Sequence, residues 1–216
     1  MLTDFATSLD ALLAGVSFLT IFEDAVTVTH LLAMAVALGS VVANDLALLR
    51  YTSRPLDWGV LDTLFGAHRL ISRALIVLWV TGLLLIVLRT GLQADSVAPK
   101  LIAKLVTVTL LTLTAVLMGR VALPLMARSM GLALLDVPFL RKIVLAACAG
   151  LSTGGWLAAL LLGGTSFLRE ADLGPVLALT FAVQGAALVL TVIAAIAAHV
   201  WRRSTYRPDP VYFPGE

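Results

Sequence analysis

Residues 25–49 read AVTVTHLLAMAVALGSVVANDLALL, and the reading of this stretch decides the fold. It holds one histidine, His30, one carboxylate, Asp45, and no lysine or arginine. A helix rising about 1.5 Å per residue over such a stretch is long enough to cross a hydrocarbon layer of about 30 Å. Four more stretches have the same character: Ile71–Leu88, Leu101–Leu123, Ile143–Leu162 and Val176–Val200. The second is the shortest, and His68 to Arg73 extend it at its polar end. The sequence therefore predicts an all-α fold, a polytopic membrane helical bundle with five transmembrane helices in contact with a lipid bilayer.

The composition agrees. The chain has 216 residues, of which 60% are hydrophobic and 13% charged. That charged share is about half the usual value for soluble proteins. Mean hydropathy is +1.02. A pI near 9.0 does not imply a nucleic-acid partner, because the basic residues stand singly between apolar runs. The one cysteine, Cys148, excludes an intramolecular disulfide and lies in an apolar run, which fits a small buried side chain.

Three segments follow. Residues 1–20 place Phe5, Leu9, Leu12, Leu13 and Val16 at helical spacing. They read as an N-terminal amphipathic helix on the membrane surface or, equally, as an extension of the first span. Asp4 and Asp10 without any lysine or arginine leave no positive region for a secretion signal. Residues 21–204 form the five-span domain, and 205–216 a cytoplasmic C-terminal tail. Pro55, Pro99, Pro124, Pro138 and Pro175 are expected in connections or at helix ends.

Charge asymmetry sets the expected orientation. With the N-terminus outside, Arg50, Arg54, Arg69, Arg73, Arg120, Arg128, Arg141, Lys142, Arg202, Arg203 and Arg207 face the cytoplasm. Arg89, Lys100, Lys104 and Arg169 face out. The expected location is the bacterial cell inner membrane, multi-pass, with the C-terminus cytoplasmic. Trp58 and Trp201 fall where interfacial aromatic residues belong. An odd number of spans does not encode a complete inverted-repeat transporter. In the fourth span Ala146, Gly150, Gly154 and Ala158 recur every four residues, a seam that lets helix backbones approach closely.

Ionisable residues within spans are costly and point to a site. His30 and Lys104 enter the first and third spans at matching depth, roughly 7 Å below the outer boundary. A neutral imidazole suits a haem iron or another metal, and an ammonium suits a propionate or another anionic group. In the structural alternative, Lys104 reaches to the headgroups and His30 bonds to a neighbouring helix. A second polar layer comprises Asp45, His68, Arg69, Arg73, Arg120 and His199. There His68 and His199 are candidate axial ligands, and Arg69 and Arg73, on one helix face, are candidate partners for an anion. The alternative makes the arginines topology anchors and Asp45 a salt-bridge partner. His30 and Asp45 share a face about 22 Å apart and are the two candidate mouths of an ion path.

Other chemistry lacks donors. There is no Cys-x-x-Cys, no closely spaced histidine pair, no phosphate loop and no nucleophile elbow. Met126 and Met130, one turn apart, are the nearest approach to a soft copper site, though methionines in apolar helices are mostly packing residues.

Thr29-His30-Leu31-Leu32 with Gly39 downstream, and Pro99-Lys100-Leu101-Ile102-Ala103-Lys104-Leu105, give the first 125 residues a resemblance to a group of small bacterial inner-membrane proteins. The group includes haem-containing protoporphyrinogen oxidases of the HemJ type and looks related to copper-resistance proteins of the CopD type. The resemblance implies haem b as cofactor, His30 as its ligand and Lys104 as the third-span lysine. The oxidases show Trp-x-His-x-Lys before this span; here Lys100 and Ile102 stand at the tryptophan and histidine positions, a departure that bears on the oxidase chemistry itself. Leu151-Ser152-Thr153-Gly154-Gly155-Trp156 also resembles a motif of five-span proteins without assigned activity. The expected function is a haem-binding, redox-associated membrane protein. The alternatives are a permease or copper-handling protein, and a structural or assembly subunit acting as a homo-oligomer or within a membrane complex. Whether the protein is an enzyme stays open at this point.

Overall fold

The computed structural model describes residues 17–91, 93, 98–165, 168 and 171–205. Five helices are long and apolar enough to cross a membrane. They are α1 (Phe18–Arg50), α2 (Trp58–Thr90), α3 (Pro99–Ala127), α4 (Phe139–Gly164) and α5 (Leu173–Thr205). No strand occurs among the described residues, whose only ladder-type contact is the isolated bridge Pro55–Ala133. The expected all-α bundle of five membrane-crossing helices is the observed architecture. Most of the N-terminal amphipathic segment, Arg169, Arg207 and most of the C-terminal tail lie outside the described residues.

The helices run past the apolar stretches that announce them. The second starts at Trp58 rather than at Ile71, because Asp57 caps it: its carboxylate accepts from Val60 N–H at 2.9 Å. Arg69 and Arg73 then ride on the exposed face of a helix already under way. The third opens with Pro99 in its first turn, where a missing N–H costs nothing.

Pro124 stands, as expected, at a helix end: it lies in the first turn of the short helical segment Leu123–Ala127 that closes α3. Just before it, residues Met118–Ala122 widen into a π-helical turn, in which Leu123 N–H bonds to the Met118 carbonyl. The wider turn sits where proline already interrupts the helical ladder, so both irregularities are confined to one place.

Sequence neighbours pair most closely, α1 with α2 and α4 with α5, while α3 packs on α4 and α5. Gly150 and Gly154 lie against the backbone of α5: a Cβ on Gly154 would stand 2.9 Å from Gln184 Cα, and one on Gly150 2.7 Å from Leu188 Cα. The expected small-residue seam is thus the α4–α5 contact. Small side chains also line the rest of the interior, with Ala33, Ala37, Ala74 and Ala103 buried. Large ones face outward, as at Leu31, Ile76, Leu113 and Leu190. That distribution fits a lipid surround, where close backbone packing rather than water exclusion holds helices together.

Hydroxyls within the spans are satisfied locally. Thr29, Ser40, Thr107, Thr112, Thr114 and Thr180 each donate to the carbonyl four residues back. Met126 is buried among Leu56, Leu61, Leu64 and Leu123, and Met130 packs on the same cluster. Cys148 is buried. At this end of the bundle the α1–α2 and α3–α4 connections interlock. Leu56 N–H bonds to the Leu132 carbonyl and Gly131 N–H to the Leu56 carbonyl, both at 3.0 Å, and Leu134 N–H reaches the Tyr51 carbonyl. Gly131 has φ 78°, a left-handed conformation open to glycine.

Candidate functional site

His30 lies on α1 and is half-buried against α2. Its Nδ1 is 2.8 Å from Thr81 Oγ1. The same hydroxyl lies 2.6 Å from the Val77 carbonyl, one turn back on α2. A carbonyl can only accept, so the single hydroxyl proton of Thr81 belongs to that bond. Nδ1 of His30 must then be the donor to Thr81. In the neutral ring this places the lone pair on Nε2, the arrangement in which a histidine ligates a metal while its other nitrogen donates to a fixed acceptor. Below the ring is Gly82, where a Cβ would stand 3.5 Å from His30 Cε1. The ring therefore faces the α2 backbone at Gly82 with room for one methyl group between them.

Two cations share this layer. Lys104 and Arg89 both lie within electrostatic reach of the imidazole. Arg89 Nε donates to Glu23 at 2.7 Å and its Nη2 to Thr27 Oγ1 at 3.2 Å, which ties the end of α2 to the start of α1. Lys104 is exposed on α3. Lys100, one turn earlier, donates from Nζ to the Thr165 carbonyl at the end of α4. His30 and Lys104 thus occupy one layer, joined by Thr81, Arg89 and Glu23, which sequence reasoning missed. Thr81 carries no motif, and its register against α1 is a tertiary fact.

The second layer is not one site. His68 stacks on the π-helical turn of α3: a Cβ on Gly119 would meet its Nε2 at 2.8 Å. His199, on α5, lies against Phe139 at the start of α4, with ring centroids 4.7 Å apart. These two histidines take different neighbours, and α2 and α5 share no extensive contact among the described residues. Arg69, Arg73 and Arg120 are exposed. Asp45 takes a hydroxyl rather than the expected cation, accepting from Thr153 of α4 at 2.7 Å. Between His30 and Asp45 the same helix presents Ala33, Ala37 and Val41, buried in an apolar cluster with Leu75, Leu78, Leu111 and Trp156. The two candidate mouths are therefore separated by packed hydrocarbon. Among the described residues no three histidine, cysteine or carboxylate side chains converge as a metal cluster.

The fold defines an integral, multi-pass helical membrane protein. Comparison of the chain with protein-family models, curated proteins and solved structures gives no match.

Proposed function

We propose that the protein binds haem b through His30 and serves a redox function in the bacterial inner membrane, with its N-terminus outside and its C-terminus in the cytoplasm. The observation that carries this reading is the hydrogen-bond order Val77–Thr81–His30, which directs the one free imidazole lone pair to Nε2. The donor set suits the group: His30 would hold the iron through one nitrogen, and Lys104 lies in the same layer to face a propionate, while Arg89 is already paired with Glu23. The likeness of residues 29–32 and 99–105 to the HemJ-type group points the same way. Bound haem would supply a one-electron couple. His30 would hold the iron through Nε2, with Thr81 fixing the ring and its tautomer and Lys104 offsetting carboxylate charge. Ile102, at the oxidase motif's histidine position, offers no group that could accept a proton from a porphyrinogen, so porphyrinogen oxidation is not part of the proposal.

The orientation rests on the crowding of arginines at the end carrying Arg50, Arg54, Arg128, Arg141, Arg202 and Arg203. A permease reading is disfavoured by the apolar cluster between His30 and Asp45. Copper handling is disfavoured by the hydrocarbon surroundings of Met126. A glycine seam spent inside the chain, between α4 and α5, gives no surface to an assembly partner. The test is the reduced-minus-oxidised spectrum of protein purified from haem-replete membranes. A b-type band that disappears in His30→Ala is expected; no band, or one unchanged in that variant, refutes the proposal.

A further inference from the structure

We propose that a cavity between the first turn of α4 and the last turns of α5 binds the phosphate of an anionic phospholipid headgroup. The cavity has a volume of about 440 Å³ and is lined by Asp136, Phe139, His199, Arg202 and Arg203 with the Leu135–Pro138 backbone. Its size lies within the roughly 300–1,000 Å³ common for ligand sites.

Charge is what sets this cavity apart. Lys142 is 8% exposed, and its Nζ donates at 2.7 Å to the carbonyl of Leu135, a residue of the cavity wall. Asp136 and Arg202 lie within electrostatic reach of that ammonium, and Arg203 and Lys142 within reach of His199. Among the described residues Asp136 is the one carboxylate of the group, and Arg202 Nε holds its Oδ1 at 3.0 Å. Among those residues the cations Lys142, Arg202 and Arg203 outnumber that one anion around a single cavity. Asp136 offsets the buried Lys142 ammonium only in part, because the same carboxylate is held by Arg202, and a buried ammonium is costly where its charge is incompletely offset. A phosphate oxygen in the cavity completes that offset and takes the guanidinium donors of Arg203.

The surroundings favour a lipid over a soluble phosphate. Phe139 lines the cavity and is itself 45% exposed, and Leu140 on α4 and Val200 and Trp201 on α5, next in sequence to lining residues, are exposed on the outer surface of the same two helices. These residues belong to membrane-crossing helices and offer acyl chains an apolar track beneath a charged headgroup seat. The site is independent of His30 and stands whether or not haem is bound.

Native mass spectrometry of the delipidated full-length protein tests it, with phosphatidylglycerol, phosphatidylcholine or inorganic phosphate added. Phosphatidylglycerol should bind about tenfold more tightly than phosphatidylcholine, and Arg203→Glu should abolish most of that preference, since each basic group near an anionic lipid surface contributes about a factor of five. Arg203 is exposed, so the variant should keep the melting temperature of the parent. Arg54→Glu, an exposed residue at the same end of the bundle, should leave the preference intact. Equal binding of the two lipids overturns the proposal, as does a preference unchanged in Arg203→Glu or lost equally in Arg54→Glu. Displacement of phosphatidylglycerol by millimolar inorganic phosphate overturns the lipid assignment in favour of a soluble phosphate.

Discussion

Replacing Gly154 by alanine inserts one methyl where α4 meets α5, and the structure fixes what it meets. The new Cβ would stand 2.8 Å from Ala187 Cβ, 2.9 Å from Gln184 Cα and 3.1 Å from the Gln184 carbonyl oxygen. None of these atoms is the end of a flexible side chain, so relief requires moving α5 as a body. Overpacking of this kind costs about 1–3 kcal/mol. Alanine also gains up to about 1 kcal/mol over glycine in a helix, which would mask part of the loss. Gly185 supplies the control, because it lies in the interior of the facing helix α5 and its added Cβ meets nothing within 4 Å. Both sites are helix-interior, so the propensity gain is common to both variants. Their difference therefore isolates packing, at about 1–3 kcal/mol in favour of Gly185→Ala. Reversible unfolding in mixed micelles, followed by far-UV circular dichroism, reads that difference. Variants that agree within about 0.5 kcal/mol, the usual error of additivity, would refute close α4–α5 contact as the element holding this half of the bundle.

Three further outcomes follow from particular contacts. Thr81→Val keeps the side-chain shape but removes the acceptor for His30 Nδ1, so haem affinity should fall about 10- to 100-fold while Thr81→Ser retains most of it; equal affinities in a haem titration would contradict the assigned tautomer. Thr153→Val leaves the half-buried Asp45 without its hydroxyl donor and should cost about 1–3 kcal/mol of stability in the same unfolding assay; no loss would mean that water or lipid headgroups already solvate the carboxylate. Cys148, 2% exposed, should resist maleimide in the folded protein and react fully once the bundle is unfolded in denaturant; rapid labelling of the folded protein would contradict its placement.

What the sequence discloses here, and what it withholds, follows from the range of the interactions involved. Runs such as residues 25–49 announce a span because hydropathy is local, and the α4 seam is legible because Gly150 and Gly154 recur on one helix face. The start of α2 is not legible from apolarity, since Asp57 caps a helix whose first turns carry Asp62, His68 and Arg69. Nor is the π-helical turn, which lies just before Pro124 and packs at Gly119 against His68 of another helix. His30 and Lys104 are conspicuous as polar residues in apolar stretches. Their partners are inconspicuous, because threonine is common in spans and only the α1–α2 register brings Thr81 to His30. Asp45 shows the same limit: its depth is readable, whereas its pairing with Thr153, 108 positions away, is not.

The central claim is that His30 would hold one haem per chain through Nε2. Titration of the purified, haem-free protein with haem, followed by the Soret band, tests it most directly. The account predicts saturation at one equivalent for the parent and loss of that transition in His30→Ala, with His68→Ala and His199→Ala behaving as the parent. A titration unaltered by His30→Ala, or abolished instead by His68→Ala or His199→Ala, would contradict it.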